Sequence, residues 1–281
     1  MQSVDPSMLK GFQSVLGNAK HIVVLTGAGT SAESGIPTFR GAGGLWREYE
    51  ATALATPEAF VENPSLLWEF YHWRREVVSK SKPNKAHYAL AALEKRCQQE
   101  GKRLTLITQN IDRLHQAAGS QSIIELHGSL WDVCYPDRRG YRSLKKKPWE
   151  DRRQPLVPAL QGKGAPDVTH HANIPVEELP SHRGCLLRPG VVWFGEGLDE
   201  EVLDDAHSAL NTCDLFMTIG TSSVVYPAAG FAATVARRGV PTAEVNLDTS
   251  GATDICQYVF QGKAGEVLPK LFGVDVCPES R

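Results

Sequence analysis

Short apolar runs alternate with amphipathic segments along most of the chain. The runs richest in β-branched and other apolar residues are 21–26, 103–108, 122–126, 191–194, 214–219 and 242–247. Helical stretches such as 200–211 and 228–238 separate several of them. Strands buried on both faces are nearly continuous in apolar residues, and helices join them when they run parallel. The pattern therefore predicts an α/β fold, a Rossmann-like parallel sheet with helices on both faces.

Two segments interrupt this alternation. Residues 42–90 have helical periodicity without strands, and residues 131–188 are polar and rich in Pro and Arg with little periodicity. At 281 residues and 42% hydrophobic content, the chain is long enough for one large domain with a smaller inserted domain.

A glycine-rich turn follows the first apolar run. In Gly27-Ala28-Gly29-Thr30-Ser31-Ala32, Gly27 permits a tight turn, Gly29 lets the backbone approach a pyrophosphate, and small Ala32 allows close packing. A helix is not expected to continue far beyond Ala32, because Gly35, Pro37 and further glycines follow. The turn predicts a dinucleotide site beside a long loop, although a strand-to-helix turn without a ligand has the same pattern.

Four further motifs follow in a fixed order, at 108–112 (TQNID), 127–129 (HGS), 192–196 (VWFGE) and 220–223 (GTSS). Together with the glycine loop, they make residues 10–270 resemble the sirtuin family of NAD-dependent protein-lysine deacylases. Ala55, Tyr71 and Arg74 are similar to the class III, sirtuin-five-like branch, which prefers acidic acyl groups. The resemblance implies a discontinuous Rossmann-like domain (1–41, 91–130 and 189–281) and a small domain with a helical module (42–90) and a degenerate zinc-type module (131–188).

His127 follows an apolar run and so is expected at the carboxyl end of a strand, where open α/β sheets bind ligands. A lone histidine there is commonly a hydrogen-bonded residue at the edge of the core, but the resemblance implies a general base, since an imidazole takes up a proton near neutral pH. The implied reaction consumes NAD as co-substrate and yields nicotinamide, free lysine and O-acyl-ADP-ribose. Asn110 is the second implied catalytic residue.

The resemblance also implies which residues bind NAD. Asp112 could be a helix cap and Asn110 a turn former, but the family places Asp112 and Ile111 at the nicotinamide carboxamide and Gln109 and Asn110 at its ribose. The remaining implied cofactor-binding residues are Gly27, Ala28, Gly29, Ala32, Pro37, Thr38, Phe39, Arg40, Trp46, Gly220, Thr221, Ser222, Ser223, Asn246, Leu247 and Ala264.

A helix is predicted over 63–80, with Asn63 as its cap and Pro64 in its first turn. Arg74 falls within the apolar face formed by Leu67, Phe70, Tyr71, Val77 and Val78. An unpaired buried charge is costly, so Arg74 either extends to solvent or meets an anion. An internal acid is the ordinary partner, whereas the resemblance implies the distal carboxylate of succinyl-, malonyl- or glutaryl-lysine. The implied substrate-binding residues are Ala55, Tyr71, Arg74, Val192, Trp193, Phe194, Gly195 and Tyr226, with Val192–Gly195 as an exposed strand edge for an acyl-lysine peptide.

Sirtuins carry two Cys-x-x-Cys pairs that hold a structural zinc, but this chain has only Cys134 and Cys185 in that segment. Asp137 and His182 stand at the three-residue spacing. Structural zinc favours sulfur and imidazole, and carboxylate is an unusual ligand. We therefore expect no zinc, and expect Trp131, Tyr135, Tyr141 and Trp149 to hold this segment by packing.

A net charge of −2 gives no overall attraction to nucleic acid or to anionic membranes. The segment 137–153 has eight Lys or Arg residues, but without aromatic spacing a solvated loop is the simpler interpretation. No apolar run approaches the ~18 residues of a membrane span, so a soluble protein is expected. The amino terminus lacks the Arg-rich bias of a transit peptide and the six cysteines lack paired spacing, which favours cytoplasm or nucleus over mitochondrion.

The leading hypothesis is thus an NAD-dependent deacylase for acidic acyl groups. A plain deacetylase or mono-ADP-ribosyltransferase would share the NAD residues and differ at Tyr71 and Arg74. A different class, an inactive scaffold that binds NAD or acyl-lysine, is made conceivable by the eroded metal site, and intact His127, Asn110 and Asp112 speak against it.

Overall fold

Helices and strands follow one another through residues 5–38, 45–143, 146–167 and 171–276, which the computed structural model describes. The helices are α1 (Pro6–Asn18), α2 (Ala28–Ala32), α3 (Ala51–Leu54), α4 (Pro57–Glu62), α5 (Pro64–Lys80), α6 (Lys85–Gln99), α7 (Leu114–Ala117), α8 (Glu200–Thr212), α9 (Phe231–Ala236) and α10 (Ala264–Phe272). The strands are β1 (His21–Thr26), β2 (Leu45–Trp46), β3 (Tyr49–Glu50), β4 (Arg103–Thr108), β5 (Ile123–Glu125), β6 (Gly128–Cys134), β7 (Trp149–Glu150), β8 (Ser181–His182), β9 (Cys185–Leu186), β10 (Arg188–Val191), β11 (Leu215–Ile219), β12 (Thr242–Asn246) and β13 (Tyr258–Gln261). No helix in these ranges is long and apolar enough to cross a membrane.

The chain divides into two compact units. The first comprises residues 1–35, 82–126 and 199–281, and the second comprises 36–81 and 127–198. The sequence predicted these divisions at 41, 90, 130 and 188, which differ from the observed divisions at 35, 81, 126 and 198 by 4 to 10 residues. The difference changes the placement of His127. The sequence assigned this residue to the Rossmann-like domain, but in the structure it is the first residue of the stretch 127–198 of the second unit.

The first unit is built on a six-stranded parallel sheet of order β13-β12-β11-β1-β4-β5. All six residues of β1 are buried, as its nearly continuous apolar run predicts. The chain moves from β1 to β4 on one side and later to β11 on the other, so β1 marks the point where strand order reverses. Ligands of open α/β sheets bind at this point, outside the carboxyl ends of the strands. The predicted Rossmann-like fold is confirmed.

The second unit contains a three-stranded sheet of order β10-β6-β7, the hairpins β2–β3 and β8–β9, and helices α3 to α5. Helix α5 begins as the sequence predicts, because the Asn63 side chain accepts a hydrogen bond from Leu66 N at 2.9 Å and Pro64 follows at the first position. Its buried residues include Trp68, Glu69 and Arg75 as well as the expected apolar stripe, so the helix is enclosed on more than one side.

The strand predicted at 191–194 is wrong in position and in sheet. The observed strand is β10, and it runs antiparallel to β6 in the second unit. Three of its four residues, Arg188, Pro189 and Gly190, are poor strand formers. The apolar run at 191–194 therefore begins where the strand ends. The sequence pattern also missed β13, which pairs with β12 at the edge of the large sheet.

Gly128, the first residue of β6, provides a test of this packing. Its φ is +70°, and an added Cβ would lie 2.2 Å from the carbonyl oxygen of Gly190. We expect Gly128→Ala to lower the free energy of unfolding by more than about 2 kcal/mol, since backbone strain and overpacking act together.

Gly184 is the matched control, because its φ is +74° and nothing lies within 4 Å of an added Cβ. Gly184→Ala should cost about 1 kcal/mol from backbone strain alone. Equal losses in the two variants, measured by urea denaturation, would contradict the steric account.

Candidate active site

In the first unit, the turn after β1 lies directly against the turn after β11. Gly29 N donates to Gly220 O at 2.8 Å and Gly27 N donates to Ile219 O at 3.0 Å. A Cβ on Gly27 would come within 2.6 Å of the Thr221 Cβ, and one on Gly29 within 2.9 Å of Gly220 O. Glycine is thus required at both positions by the second turn. The expected packing role of Ala32 is wrong, since Ala32 is exposed and its neighbours Thr30 and Ser31 are buried.

Asn110 and Asp112 lie next to this pair of turns and share a hydroxyl. The Asn110 amide donates to Gly27 O at 3.0 Å and to Ser31 Oγ at 3.1 Å. Ser31 Oγ in turn donates to Asp112 at 2.8 Å, and the other Asp112 oxygen accepts from Leu114 N at 2.8 Å. Because the Asn110 amide hydrogens are directed inward, its carbonyl oxygen is the group that remains to accept from a ligand. Sequence reasoning missed Ser31, although it lies inside the glycine motif.

Two buried histidines lie behind these residues. Thr26 Oγ1 bonds to Thr108 Oγ1 and to His115 Nε2, at 2.9 and 3.0 Å, and the rings of His115 and His87 are 4.8 Å apart. Burial lowers the pKa of His87 to about 4 and that of His115 well below its usual value. Both imidazoles are therefore neutral at physiological pH and serve as hydrogen-bonding groups rather than as proton carriers.

The remaining candidates of the first unit group around Thr221. Its Oγ1 accepts from Gln109 Nε2 at 2.9 Å, and its carbonyl oxygen accepts from Asn246 Nδ2 at 2.9 Å. Ser223 N also donates to Thr221 Oγ1, at 3.2 Å. Ser222, Leu247 and Tyr226 are exposed, whereas Ile111 is buried and Ala264 is buried at the start of α10. Two polar side chains from different loops, and one backbone N–H, are thus tied to one threonine.

In the second unit, the segment after β10 is held at both ends. Val192 N donates to His127 O at 2.9 Å, and Phe194 N donates to Ala55 O at 2.9 Å. The exposed strand edge expected at Val192–Gly195 is not a strand, because β10 ends at Val191 and a turn follows. Phe194 and Gly195 are nevertheless exposed, and His127 is half-buried.

Tyr71 is 1% exposed, and its hydroxyl accepts a hydrogen bond from the indole nitrogen of Trp193 at 2.8 Å. Burial raises the pKa of Tyr71 to about 12, so the hydroxyl keeps its proton. Arg74 is 8% exposed, and its guanidinium carbon lies 5.7 Å from the centroid of the Phe70 ring. Tyr71, Arg74 and Trp193 are therefore buried polar groups among aromatic rings, and Ala55 is also buried.

The residues expected in the glycine-rich loop have different placements. Ala28, Pro37 and Thr38 are half-buried, while Phe39 and Arg40 lie outside the described residues. Trp46 is fully buried, donates to Gly164 O at 2.9 Å and packs against Phe70. That environment gives Trp46 a core position in the second unit.

The zinc-type residues do not fit a metal site. Asp137 accepts from the backbone of Arg139 and Tyr141 within a turn, and the His182 ring packs with Tyr135 and Trp149. Cys134 is fully buried, which raises the pKa of its thiol to about 11, whereas Cys185 is exposed. No group of three or more His, Cys, Asp or Glu residues that could hold a metal is present in the described ranges.

Comparison with known proteins identifies the family. Residues 27–227 match the model of the Sir2 family. The chain is 50% identical to the NAD-dependent protein deacylase sirtuin-5, mitochondrial, of Canis lupus familiaris, over 94% of this chain and 84% of that protein. It is 52% identical to an NAD-dependent protein deacylase of Daphnia pulex, over 94% and 96%. A crystal structure of a Sir2 homolog bound to NAD is 41% identical with a TM-score of 0.76, covering 96% of this chain and 93% of the other.

The chain therefore belongs to the Sir2 family, as its motifs predict, and its cofactor is NAD. The expectation of cytoplasm or nucleus is wrong: sirtuin-5 relatives from Canis lupus familiaris, Xenopus tropicalis and Danio rerio are named mitochondrial. Composition at the amino terminus was too weak a signal for this assignment.

The disposition of Cys134, Asp137, His182 and Cys185 gives a prediction about metal. Purified protein should contain well under one zinc per chain by elemental analysis, and chelators should leave its melting temperature unchanged, because a structural zinc contributes directly to folding free energy. Stoichiometric zinc, with a melting temperature that falls on chelation, would contradict this prediction.

Proposed function

We propose that this Sir2-family protein is an NAD-dependent protein-lysine deacylase that prefers acyl groups ending in a carboxylate, such as succinyl, malonyl and glutaryl. Family membership and the named activity of relatives at about 50% identity support the deacylase activity. A related Sir2 structure, 31% identical with a TM-score of 0.74 over 94% of this chain and 97% of the other, is described with a deacetylated p53 peptide and 3′-O-acetyl ADP ribose. The acyl preference is argued from the second unit.

The observation that carries the acyl preference is the hydroxyl of Tyr71. Among the described residues, its one hydrogen bond is the one that it accepts from Trp193, and none of these residues accepts the hydroxyl proton. A buried hydroxyl proton without an acceptor is costly, and a ligand oxygen would satisfy it. Because the pKa of Tyr71 is raised to about 12, the group donates to an anion rather than repelling it.

Arg74 supplies the positive charge. It lies one turn from Tyr71 on α5, and both side chains are buried. Burial raises the pKa of Tyr71, and the positive charge of the Arg74 guanidinium opposes that rise. A carboxylate matches this pair, since it accepts from the planar fork of arginine and from a neutral hydroxyl at once. The small side chain of Ala55 would leave space for the longer acyl chain.

The residues of the first unit fit an NAD ligand, because the two glycine turns after β1 and β11 meet at the carboxyl ends of the strands, where open α/β sheets bind nucleotides. NAD, when bound, supplies a ribose carbon that loses nicotinamide and accepts the acyl oxygen. The Asn110 carbonyl would orient a ribose hydroxyl. Asp112, whose carboxylate is held by Ser31 and Leu114, would accept from a carboxamide N–H.

His127 is the proposed general base. Its backbone is fixed by the hydrogen bond from Val192 N and by Gly128, whose contact with Gly190 permits no side chain. The main chain thus restricts the imidazole to side-chain rotations. A half-buried imidazole held in this way can take a proton from a ribose hydroxyl near neutral pH.

We expect His127→Ala to lower kcat for deacylation by about 100-fold to 10,000-fold, the usual contribution of a general base, while NAD binding persists. Kcat is measured with a succinyl-lysine peptide, and binding by isothermal titration with NAD. His207→Ala, a change at an exposed histidine of the first unit, is the control. Turnover of His127→Ala near that of the control would reject the general-base role.

We expect Arg74→Met to reduce kcat/KM for a succinyl-lysine peptide by about 30-fold to 1000-fold, because a charge-assisted contact in a desolvated site is lost. Activity on the matching acetyl-lysine peptide should hold or rise, since that substrate has no carboxylate to leave unpaired.

Arg75→Met is the matched control, because Arg75 donates to the carbonyl oxygens of Leu130 (2.9 Å) and Asp151 in the same unit. It should lower the melting temperature and depress both activities in parallel. If Arg74→Met behaves like Arg75→Met, the acyl-carboxylate role of Arg74 is rejected.

A further inference from the structure

The indole of Trp193 is fixed from several directions inside the second unit. It is 2% exposed, and its nitrogen donates to the Tyr71 hydroxyl at 2.8 Å. The guanidinium carbon of Arg188 lies 3.4 Å from the indole ring centroid, and the Phe60 ring packs at 5.6 Å between centroids. Stacking of a cation and packing of an aromatic ring leave the indole little freedom to rotate.

A buried ion pair lies behind the indole. Arg188 and Glu196 form a bidentate pair at 2.6 and 2.9 Å, with side chains 0% and 4% exposed. The Glu196 carboxylate also accepts from the backbone N–H groups of Trp193 and Arg142, each at 2.8 Å. The Glu196 carboxylate thereby connects the Arg188–Glu196 ion pair to the backbone of Trp193, whose indole stacks on the Arg188 guanidinium.

Arg188 has no donor left for a substrate. Its other N–H groups donate to the carbonyl oxygens of Gly140, Val191 and Pro189, at 2.9, 2.7 and 3.3 Å. With the two bonds to Glu196, all five N–H groups of the guanidinium are used. Arg188 is therefore a support for Trp193 and does not compete with Arg74 for a ligand carboxylate.

The Trp193 contact determines where the hydroxyl proton of Tyr71 can point. A phenolic O–H lies in the plane of its ring and has two orientations, and an N–H donor occupies one of these two directions. The proton must then take the other direction. Without the indole N–H, both orientations are open and the hydroxyl loses part of its preorganisation.

We infer that Trp193 is a positioning residue for acyl selectivity, which directs the Tyr71 hydroxyl proton toward the distal carboxylate of the acyl group and is itself held by the Arg188–Glu196 pair. This inference rests on the proposed acyl preference. It assigns to the Trp193 side chain a role separate from any contact that its backbone makes with a peptide.

The test is the ratio of kcat/KM for succinyl-lysine to kcat/KM for acetyl-lysine in peptides of identical sequence. Trp193→Phe retains an aromatic ring, although a smaller one, and removes the indole N–H, and any change in peptide binding cancels in the ratio. We expect the ratio to fall about 3-fold to 10-fold, the effect of one neutral hydrogen bond. Trp68→Phe is the matched control: Trp68 is also buried and donates to a carbonyl, Leu187 O at 3.0 Å, so it should lose melting temperature but keep the wild-type ratio.

A double-mutant cycle with Tyr71→Phe identifies the route of the effect. If Trp193 acts through the Tyr71 hydroxyl, Trp193→Phe should not change the ratio further in the Tyr71→Phe background. A wild-type ratio in Trp193→Phe, or effects that multiply in the double variant, would overturn the inference. If Trp193→Phe does not fold, replacement of Trp193 by 3-benzothienylalanine, in which sulfur takes the place of N–H, is measured instead with the same criteria.

The outcomes separate this inference from the proposed function. A wild-type enzyme with no preference for succinyl-lysine would reject the acyl preference, and the inference with it. A wild-type preference that Tyr71→Phe and Arg74→Met reduce and Trp193→Phe leaves intact would reject the inference alone.

Discussion

The contact between the turns after β1 and β11 is the constraint that positions the candidate NAD-binding residues of the first unit. A Cβ on Gly220 would lie 2.5 Å from Thr30 N, and one on Gly27 would lie 2.6 Å from Thr221 Cβ, so each turn excludes side chains from the other. The amide of Asn110 bonds to the first turn, and Gln109 and Asn246 bond to the second. Polar groups from separate loops are thereby held in one fixed arrangement, which is what preorganisation of a binding site requires.

The second unit buries charged side chains in ion pairs. Arg188 pairs with Glu196, and Arg47 pairs with Glu69 at 2.6 Å, with all four side chains at most 5% exposed. Taking such groups out of water is costly unless their hydrogen bonds are complete. Glu196 meets this condition with two guanidinium and two backbone donors. Such a pair fixes the position of its groups, because a carboxylate with four fixed donors cannot shift without losing several hydrogen bonds.

Much of the first unit could be predicted from the sequence. The strands β1, β4, β11 and β12 begin and end within one residue of their apolar runs, because strands buried on both faces have a continuous apolar signal. The start of α5 could also be predicted, since Asn63 and Pro64 are local signals of a helix terminus. These features depend on residues that are close together in the chain.

Features that depend on contacts between residues far apart in the chain could not be predicted from the sequence. β10 was missed because the burial of Arg188 depends on Glu196 and not on its own hydrophobicity. The bond between Trp193 and Tyr71 joins residues 122 positions apart, and no periodicity relates them. Ser31 could be read as part of a glycine motif, but its bridge between Asn110 and Asp112 appears only when β1 and β4 lie side by side.

Arg74 and Arg75 are neighbours on α5, but they contribute to different properties of the molecule. Arg75 anchors β6 and the segment after β7 through the carbonyl oxygens of Leu130 and Asp151, and Arg74 takes no part in either bond. Successive helical residues point about 100° apart, so neighbouring side chains of the same type meet different surroundings. In evolutionary terms, the residue proposed to recognise the acyl group and the residue that anchors the fold are encoded by adjacent codons, so under the proposed function acyl preference can diverge among relatives that retain one architecture.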